Sequence, residues 1–117
     1  MTDAILGAYD LNEEIQRYPP GETAAGRRAE TLIKDDRLRV VLITMRAGAT
    51  LHEHTAPGPI TIQVLGGRFG VTATGEEREM GPGTLLALAS GVRHAVTARE
   101  DGSFLLTIGW AASSSTE

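Results

Sequence analysis

The chain has 117 residues, a formal net charge of −4 and no cysteine. A chain of this length is normally a single domain, and its acidic balance disfavours nucleic acid or an anionic membrane as a partner. The absence of cysteine excludes disulfides, thiolate catalysis and zinc–thiolate sites. Since no apolar run is long enough to span a bilayer and the first residues lack a signal-peptide pattern, we expect a cytoplasmic protein.

The beginning of the chain carries little β pattern. Residues 10–17 predict a short helix, because Asp10 or Asn12 can cap its first turn. A proline pair and a stretch of small polar residues follow the helix. We therefore expect residues 1–29 to form an N-terminal segment of short helix and loop.

Further along the chain, short β-branched or apolar runs alternate with glycine and proline turns and predict eight or nine strands. The runs are 30–34, 37–46, 51–55, 60–64, 68–74, 77–80, 85–89, 94–99 and 103–111. Many short strands with almost no helix indicate an antiparallel sandwich or barrel. We assign residues 30–112 to this all-β domain and residues 113–117 to a polar, disordered tail.

Two histidines, His52 and His54, flank Glu53 in one of these strands. Side chains two positions apart on an extended segment share a face, so the two imidazoles are placed to grip one ion, while Glu53 points the other way. Neutral imidazole is the commonest metal ligand in proteins. The pair therefore indicates a metal site, although histidines on strands are often only surface residues.

A wider pattern surrounds this pair. Gly48 precedes the histidine pair. Gly83, Gly91 and His94 follow it, with the spacing G-x7-G-x2-H. The arrangement resembles the two motifs of the cupin superfamily, namely glycine, H-x-H, glutamate and glycine, and then G-x5-P-x-G-x2-H-x3-N. Ala89 and Ala98 stand where the second motif usually has proline and asparagine. The short gap between the motifs is similar to that of small single-domain bacterial cupins of the cupin-2, RmlC-like type.

The resemblance implies a double-stranded β-helix, or jelly-roll β-barrel, in which His52, His54 and His94 face one another as metal ligands. In small cupins an N-terminal segment of this kind often adds a strand to a partner subunit. Because an open sandwich also has sheet edges that need cover, we expect a homodimer with the N-terminal segment or an outer sheet face at the interface, and residues 103–111 are a candidate surface. Three imidazole ligands, together with the amide oxygen of a fourth ligand considered below, suit a divalent transition metal, namely Fe, Mn, Ni, Co, Cu or Zn. Such a ligand set excludes calcium.

One departure from the family pattern concerns the glutamate of the first motif, which is replaced here by Pro59 or Ile60, depending on which glycine of a pair is aligned. If Pro59 takes its place, strand alternation turns Gln63 towards the site as a fourth ligand. If Ile60 takes its place, Gln63 faces away and the site has three histidines only. We favour the first alignment, because a glutamine in an apolar strand needs partners for its amide.

Apolar side chains are the candidates for the pocket wall: Met45, Leu51, Ile62 or Leu65, Leu86, Val96, Phe104 and Leu106. Arg46 and Arg93 either line the mouth or are solvated strand-end charges, and we favour the second interpretation. We expect Trp110 to belong to the core or to a dimer contact.

The expected site has no anionic protein ligand, so its metal would keep a charge of about +2 and favour a small acid or an enolisable carbonyl. The first hypothesis is a metal-dependent enzyme on a small organic molecule, such as a dioxygenase or an isomerase. The alternative is a ligand-binding or sensor domain without turnover, and a third hypothesis is a metal that only stabilises the fold. An open coordination position favours the first two.

Overall fold

The computed structural model describes residues 4–19 and 24–110 as one helix and nine strands. The helix is α1 (Leu11–Arg17), and the strands are β1 (Arg27–Lys34), β2 (Leu38–Met45), β3 (Thr50–His54), β4 (Ile60–Gly66), β5 (Phe69–Ala73), β6 (Glu76–Met80), β7 (Leu85–Leu88), β8 (His94–Ala98) and β9 (Gly102–Gly109). Each predicted strand is present, with its ends within about three residues of the expected positions. The predicted tail lies outside the described residues.

Within the N-terminal segment, residues 4–19 lie against the outside of the barrel. Asp10 caps α1 by accepting from the backbone N–H groups of Asn12 and Glu13, which settles the choice between the two candidate caps. The Thr44 hydroxyl donates to the carbonyl of Tyr18 at 3.0 Å, so the segment lies on β2 of its own chain. Exchange of this segment between two subunits stays a prediction. No helix in the described residues is long and apolar enough to cross a membrane.

The strands form two antiparallel sheets. The five-stranded sheet has the order β1-β2-β9-β4-β7, and the four-stranded sheet has the order β3-β8-β5-β6. Most connections cross between the sheets, which makes the jelly-roll topology expected from the sequence. Because β1 begins at Arg27, the barrel includes the last residues of the expected N-terminal segment.

The core lies between the two sheets and follows strand alternation. It contains Val41, Ile43, Met45, Ile60, Ile62, Val64, Phe69, Val71, Met80, Val96, Ala98 and Phe104. Phe69 of one sheet meets Phe104 of the other edge to face, with ring centroids 5.2 Å apart. The expected wall residues Met45, Ile62, Val96 and Phe104 are buried, and Leu51, Leu86 and Leu106 pack against them. Ile62 and not Leu65 therefore faces the core.

Candidate functional site

Two histidines meet where β3 ends and β8 begins. His54 stands directly opposite His94 in the antiparallel ladder, and their ring centroids are 4.2 Å apart. Directly opposed residues share a face, and His94 shares its face with the buried Val96, so the pair faces the barrel interior. His94 is buried while His54 is exposed, which places the pair at the mouth of the barrel.

The strand that carries the histidine motif contains a β-bulge. Leu51 pairs with Val96 and His54 pairs with His94, so three steps along β3 match two steps along β8. Such an extra residue bends the strand and redirects side chains, often beside a functional site. The rule that residues two apart share a face therefore fails between His52 and His54.

The third predicted ligand lies outside this pair. In residues 4–19 and 24–110, no three His, Cys, Asp or Glu side chains are placed to hold one metal ion. The His52 side chain is exposed, but its backbone carbonyl contacts Nδ1 of His54 at 2.7 Å. The structure thus brings together two of the three predicted histidines, because the bulge interrupts the strand, and His52 contributes a backbone oxygen that orients His54.

Both imidazoles are held in the same way. Nδ1 of His94 lies 3.0 Å from the carbonyl of Val92, just as Nδ1 of His54 lies against that of His52. A carbonyl only accepts, so each Nδ1 carries a proton, and in the neutral ring Nε2 then keeps its lone pair, the arrangement found in metal-bound histidines. Burial lowers the pKa of His94, the carbonyl of Val92 opposes this, and the neighbouring His54 lowers the pKa further. Burial and the neighbouring ring therefore both favour the neutral form of the His94 imidazole.

The expectation for Gln63 is corrected by the structure. Ile62 and Val64 are buried in the core, and Gln63 between them is exposed on the outer face of the five-stranded sheet. Its cross-strand neighbours there are Leu85 and Leu105. Strand alternation therefore excludes Gln63 from the interior where the histidine pair lies, and the alignment with Ile60 in place of the glutamate is the one that fits.

Replacing Gln63 by glutamate is expected to leave the affinity of the protein for a transition metal unchanged. The new carboxylate would stand in solvent on the other side of the sheet, where water and salt screen its charge. Titration of Co²⁺, and then of azide, into both proteins provides the measurement. Tighter metal binding or weaker azide binding in the variant would show that the side chain reaches the site.

Neither of the two arginines considered for the mouth, Arg46 and Arg93, binds at the histidine pair. Arg93 pairs with Glu53 at 2.9 Å on the exposed surface, which also shows that Glu53 points away from the histidine pair. Arg46 borders a pocket of about 440 Å³ together with Gly48 and Asp101. That pocket lies beyond the other end of β3 and β8, since the N–H of Gly48 donates to the carbonyl of Ala98.

A third arginine, which the sequence interpretation did not select, lies on the inner face of β2. Arg39 stands opposite Ile108, and Ile108 packs against the core. The guanidinium carbon of Arg39 lies 5.3 Å from the centroid of the Trp110 ring, so Trp110 serves as a cation–π partner. The alternation of Arg39 with the buried Val41 and Ile43 is the sequence signal that could have identified it.

Comparison with known proteins gives matches of structure only. No family model matches the sequence, and no curated protein matches it. The structure is similar to an RmlC-like cupin from Shewanella frigidimarina, at 21% identity and a TM-score of 0.71, over 79% of this chain and 83% of that one. A cupin superfamily protein from Desulfitobacterium hafniense gives 18% identity and a TM-score of 0.70, over 73% and 78% of the two chains.

An enzyme is among the similar structures. Salicylate 1,2-dioxygenase from Pseudoaminobacter salicylatoxidans, in the form of a point mutant, is 22% identical with a TM-score of 0.70, over 85% of this chain but 30% of its own. Identities at this level show a common fold and leave the activity open. The strand order and these similar structures together show that the chain has the cupin fold, the jelly-roll barrel of the small RmlC-like cupins.

Proposed function

We propose that the mouth of the barrel binds a divalent transition metal ion through Nε2 of His54 and Nε2 of His94. The observation that supports this proposal is the matched pair of Nδ1 contacts to backbone carbonyls, which leaves two free lone pairs on neighbouring rings. The contacts also hold each ring in a fixed orientation, so little ordering is needed when an ion binds.

The donor set fits a restricted class of ions. Two neutral imidazoles suit a borderline ion such as Fe, Mn, Co, Ni, Cu or Zn, whereas magnesium and calcium need oxygen ligands. Structural zinc sites are usually closed by four protein ligands, so a site with two leaves positions for solvent and an organic ligand. When bound, the ion would act as a Lewis acid on an oxygen of that ligand.

The protein around the pair provides an apolar surface for the carbon skeleton of such a ligand. Ile60 is buried on the inner face of β4, and its neighbours on that face are Ile108 and Leu88. We propose an enzyme on a small organic molecule, of the dioxygenase or isomerase type. The second candidate is a binding domain without turnover, because the part of the chain that the structure describes has no further cluster of acidic or basic side chains beside the two histidines.

Two measurements test this proposal and separate its two forms. Protein purified without added metal is analysed for bound elements, and it is then screened for oxygen uptake and for isomerisation with small organic acids and enolisable carbonyls. A transition metal with turnover supports the enzyme, and a metal without turnover supports the binding domain. Protein that acquires no transition metal, even with an excess of Co²⁺ or Zn²⁺, contradicts both forms.

We also propose that the chain forms a homodimer through the outer face of the five-stranded sheet. Leu85, on its edge strand β7, is 66% exposed, and Val40, Leu65 and Leu105 are half-buried apolar residues of the same face. Exposed apolar side chains on a sheet edge favour association with another chain.

Light scattering at micromolar concentration is expected to give twice the mass of one chain. Leu85→Arg would place a charge in the proposed interface, so this variant is expected to be a monomer with an unchanged circular dichroism spectrum. Ile5→Arg, at a position that is 73% exposed but lies on the N-terminal segment, tests the other arrangement. A wild-type protein with the mass of one chain would contradict the dimer, and a monomeric Ile5→Arg would move the interface to the N-terminal segment.

A further inference from the structure

Arg39 belongs to the same end of the barrel as the histidine pair. Register places Arg39 beside Ile108, and Ile108 beside Ile60, the first residue of β4. The five residues between His54 and Ile60 connect the end of β3 to the start of β4. The inner face of the five-stranded sheet therefore presents a guanidinium at the mouth, and the inner face of the other sheet presents two imidazoles there.

The guanidinium of Arg39 has a donor without a protein acceptor. Its Nε is buried and has no hydrogen-bond partner, and no ion pair with Arg39 is present among the described residues. An unmatched buried donor costs free energy, and each such case in a native protein requires an explanation. The directly opposite residue in the ladder is Lys34, which adds a like charge and supplies no acceptor.

No carboxylate among residues 4–19 and 24–110 forms an ion pair with Arg39. Glu53 pairs with Arg93, and Glu76 pairs with Arg78, both on exposed surface. Asp35 and Asp36 are exposed in the turn between β1 and β2 and form no ion pair with Arg39 in the described structure. The inner side of the mouth therefore carries positive charge and a free hydrogen-bond donor beside an apolar surface.

We propose that Arg39 binds the carboxylate of a small organic acid that occupies the mouth of the barrel. A guanidinium presents parallel N–H donors that match the two oxygens of a carboxylate, and stacking on Trp110 restricts its orientation. The carbon chain of the acid lies on Ile60 and Ile108, and its other end is directed towards Nε2 of the histidines. The inference extends the proposed function by naming the ligand class, and the Arg39 contact itself needs no metal.

Trp110 provides a direct probe, because it is the only tryptophan of the chain. Sodium butyrate and neutral butyramide are titrated into the protein at constant ionic strength, before and after removal of metal. We expect a saturable change of Trp110 fluorescence with butyrate and none with butyramide. In ¹⁵N-labelled protein, the Nε–H signal of Arg39 is expected to move downfield with butyrate at the same midpoint.

Matched variants separate Arg39 from general charge effects. Arg39→Met keeps most of the side-chain stem and is expected to weaken butyrate binding about tenfold or more, since it removes a charge-assisted hydrogen bond. Arg93→Met, which removes a positive charge outside the barrel, is expected to bind butyrate as the wild type does. Arg39→Lys keeps the charge without the planar donor pair and is expected to have an intermediate affinity.

Several results would overturn the assignment: no saturable response in the wild type, an equal response to butyramide, unchanged affinity in Arg39→Met, or tighter binding of inorganic phosphate than of butyrate. If Arg39→Met does not fold, the Nε–H signal of the wild type and the Arg39→Lys variant decide. A butyrate response without metal binding would refute the proposed metal site and leave the Arg39 assignment intact. Metal binding without a butyrate response would refute the Arg39 assignment alone.

Discussion

Replacing His94 by alanine is expected to weaken Co²⁺ binding by more than about 100-fold, since loss of even an outer partner of a metal ligand costs about 10–100-fold. His54→Ala is expected to have the same effect, because the two rings contribute equivalent Nε2 donors. Calorimetry and the visible absorption of bound Co²⁺ provide the affinity. Urea unfolding of each variant shows that the loss does not come from a disrupted fold.

His52→Ala is the informative comparison for this experiment. The structure predicts that its affinity changes by less than about tenfold, because the backbone carbonyl that orients His54 survives the substitution. A loss as large as that of His94→Ala would restore the three-histidine site expected from the sequence. Retention of Co²⁺ by both His54→Ala and His94→Ala would instead remove the site from the mouth of the barrel.

Phe104→Ala is expected to lower the free energy of unfolding by about 3–5 kcal/mol, the usual loss for a fully buried phenylalanine. Phe104 is 1% exposed and contacts Phe69 across the two sheets, so its removal opens a cavity and breaks the aromatic contact between them. Because a domain has a total stability of about 5–15 kcal/mol, the loss is a large part of what is available. Urea unfolding followed by far-ultraviolet circular dichroism measures it.

Ile5→Ala serves as the control for this loss. Its side chain is 73% exposed, so the substitution is expected to change the unfolding free energy by less than about 0.5 kcal/mol. A loss below about 1 kcal/mol in Phe104→Ala would mean that the two sheets are not joined through this aromatic contact.

Much of the fold was predictable because its signals are local. Glycine and proline turns separated the strands, and Met45, Val96 and Phe104, which were expected to line the interior, are buried. The helix cap at Asp10 was likewise a short-range signal. The pairing of His54 with His94 followed from the spacing of two motifs, which the structural similarity to cupins supports at the level of the fold.

The features that sequence reasoning missed depend on contacts between distant segments. A bulge is a mismatch between two strands, so β3 alone gave no sign that the alternation from His52 to His54 would be interrupted. For Gln63, the error was the choice of which face of β4 points inwards. The need of its amide for hydrogen-bond partners favoured one alignment, although the apolar residues on either side of it compete for the buried face.

Arginine positions show the same limit. Arg46 and Arg93 follow or precede strands near the motif and were considered for the mouth, yet one lies at the opposite end and the other is paired with Glu53. Arg39 is 13 residues before His52 in the chain and reaches the mouth only because β2 and β9 pair in the observed register. Proximity in sequence was a poor guide to proximity across the barrel.

The bulge in β3 also means that a shift of the strand by one residue would bring a different pair of side chains together. If the ladder continued from Leu51 opposite Val96 without the extra residue, Glu53 in place of His54 would stand opposite His94. The interactions that oppose such a slip include the exposed Glu53–Arg93 ion pair, which contributes about 1 kcal/mol or less. One imidazole and one carboxylate would then suit harder ions. A change that removes the bulge by slipping the strand would thus replace the imidazole opposite His94 by a carboxylate within the same barrel.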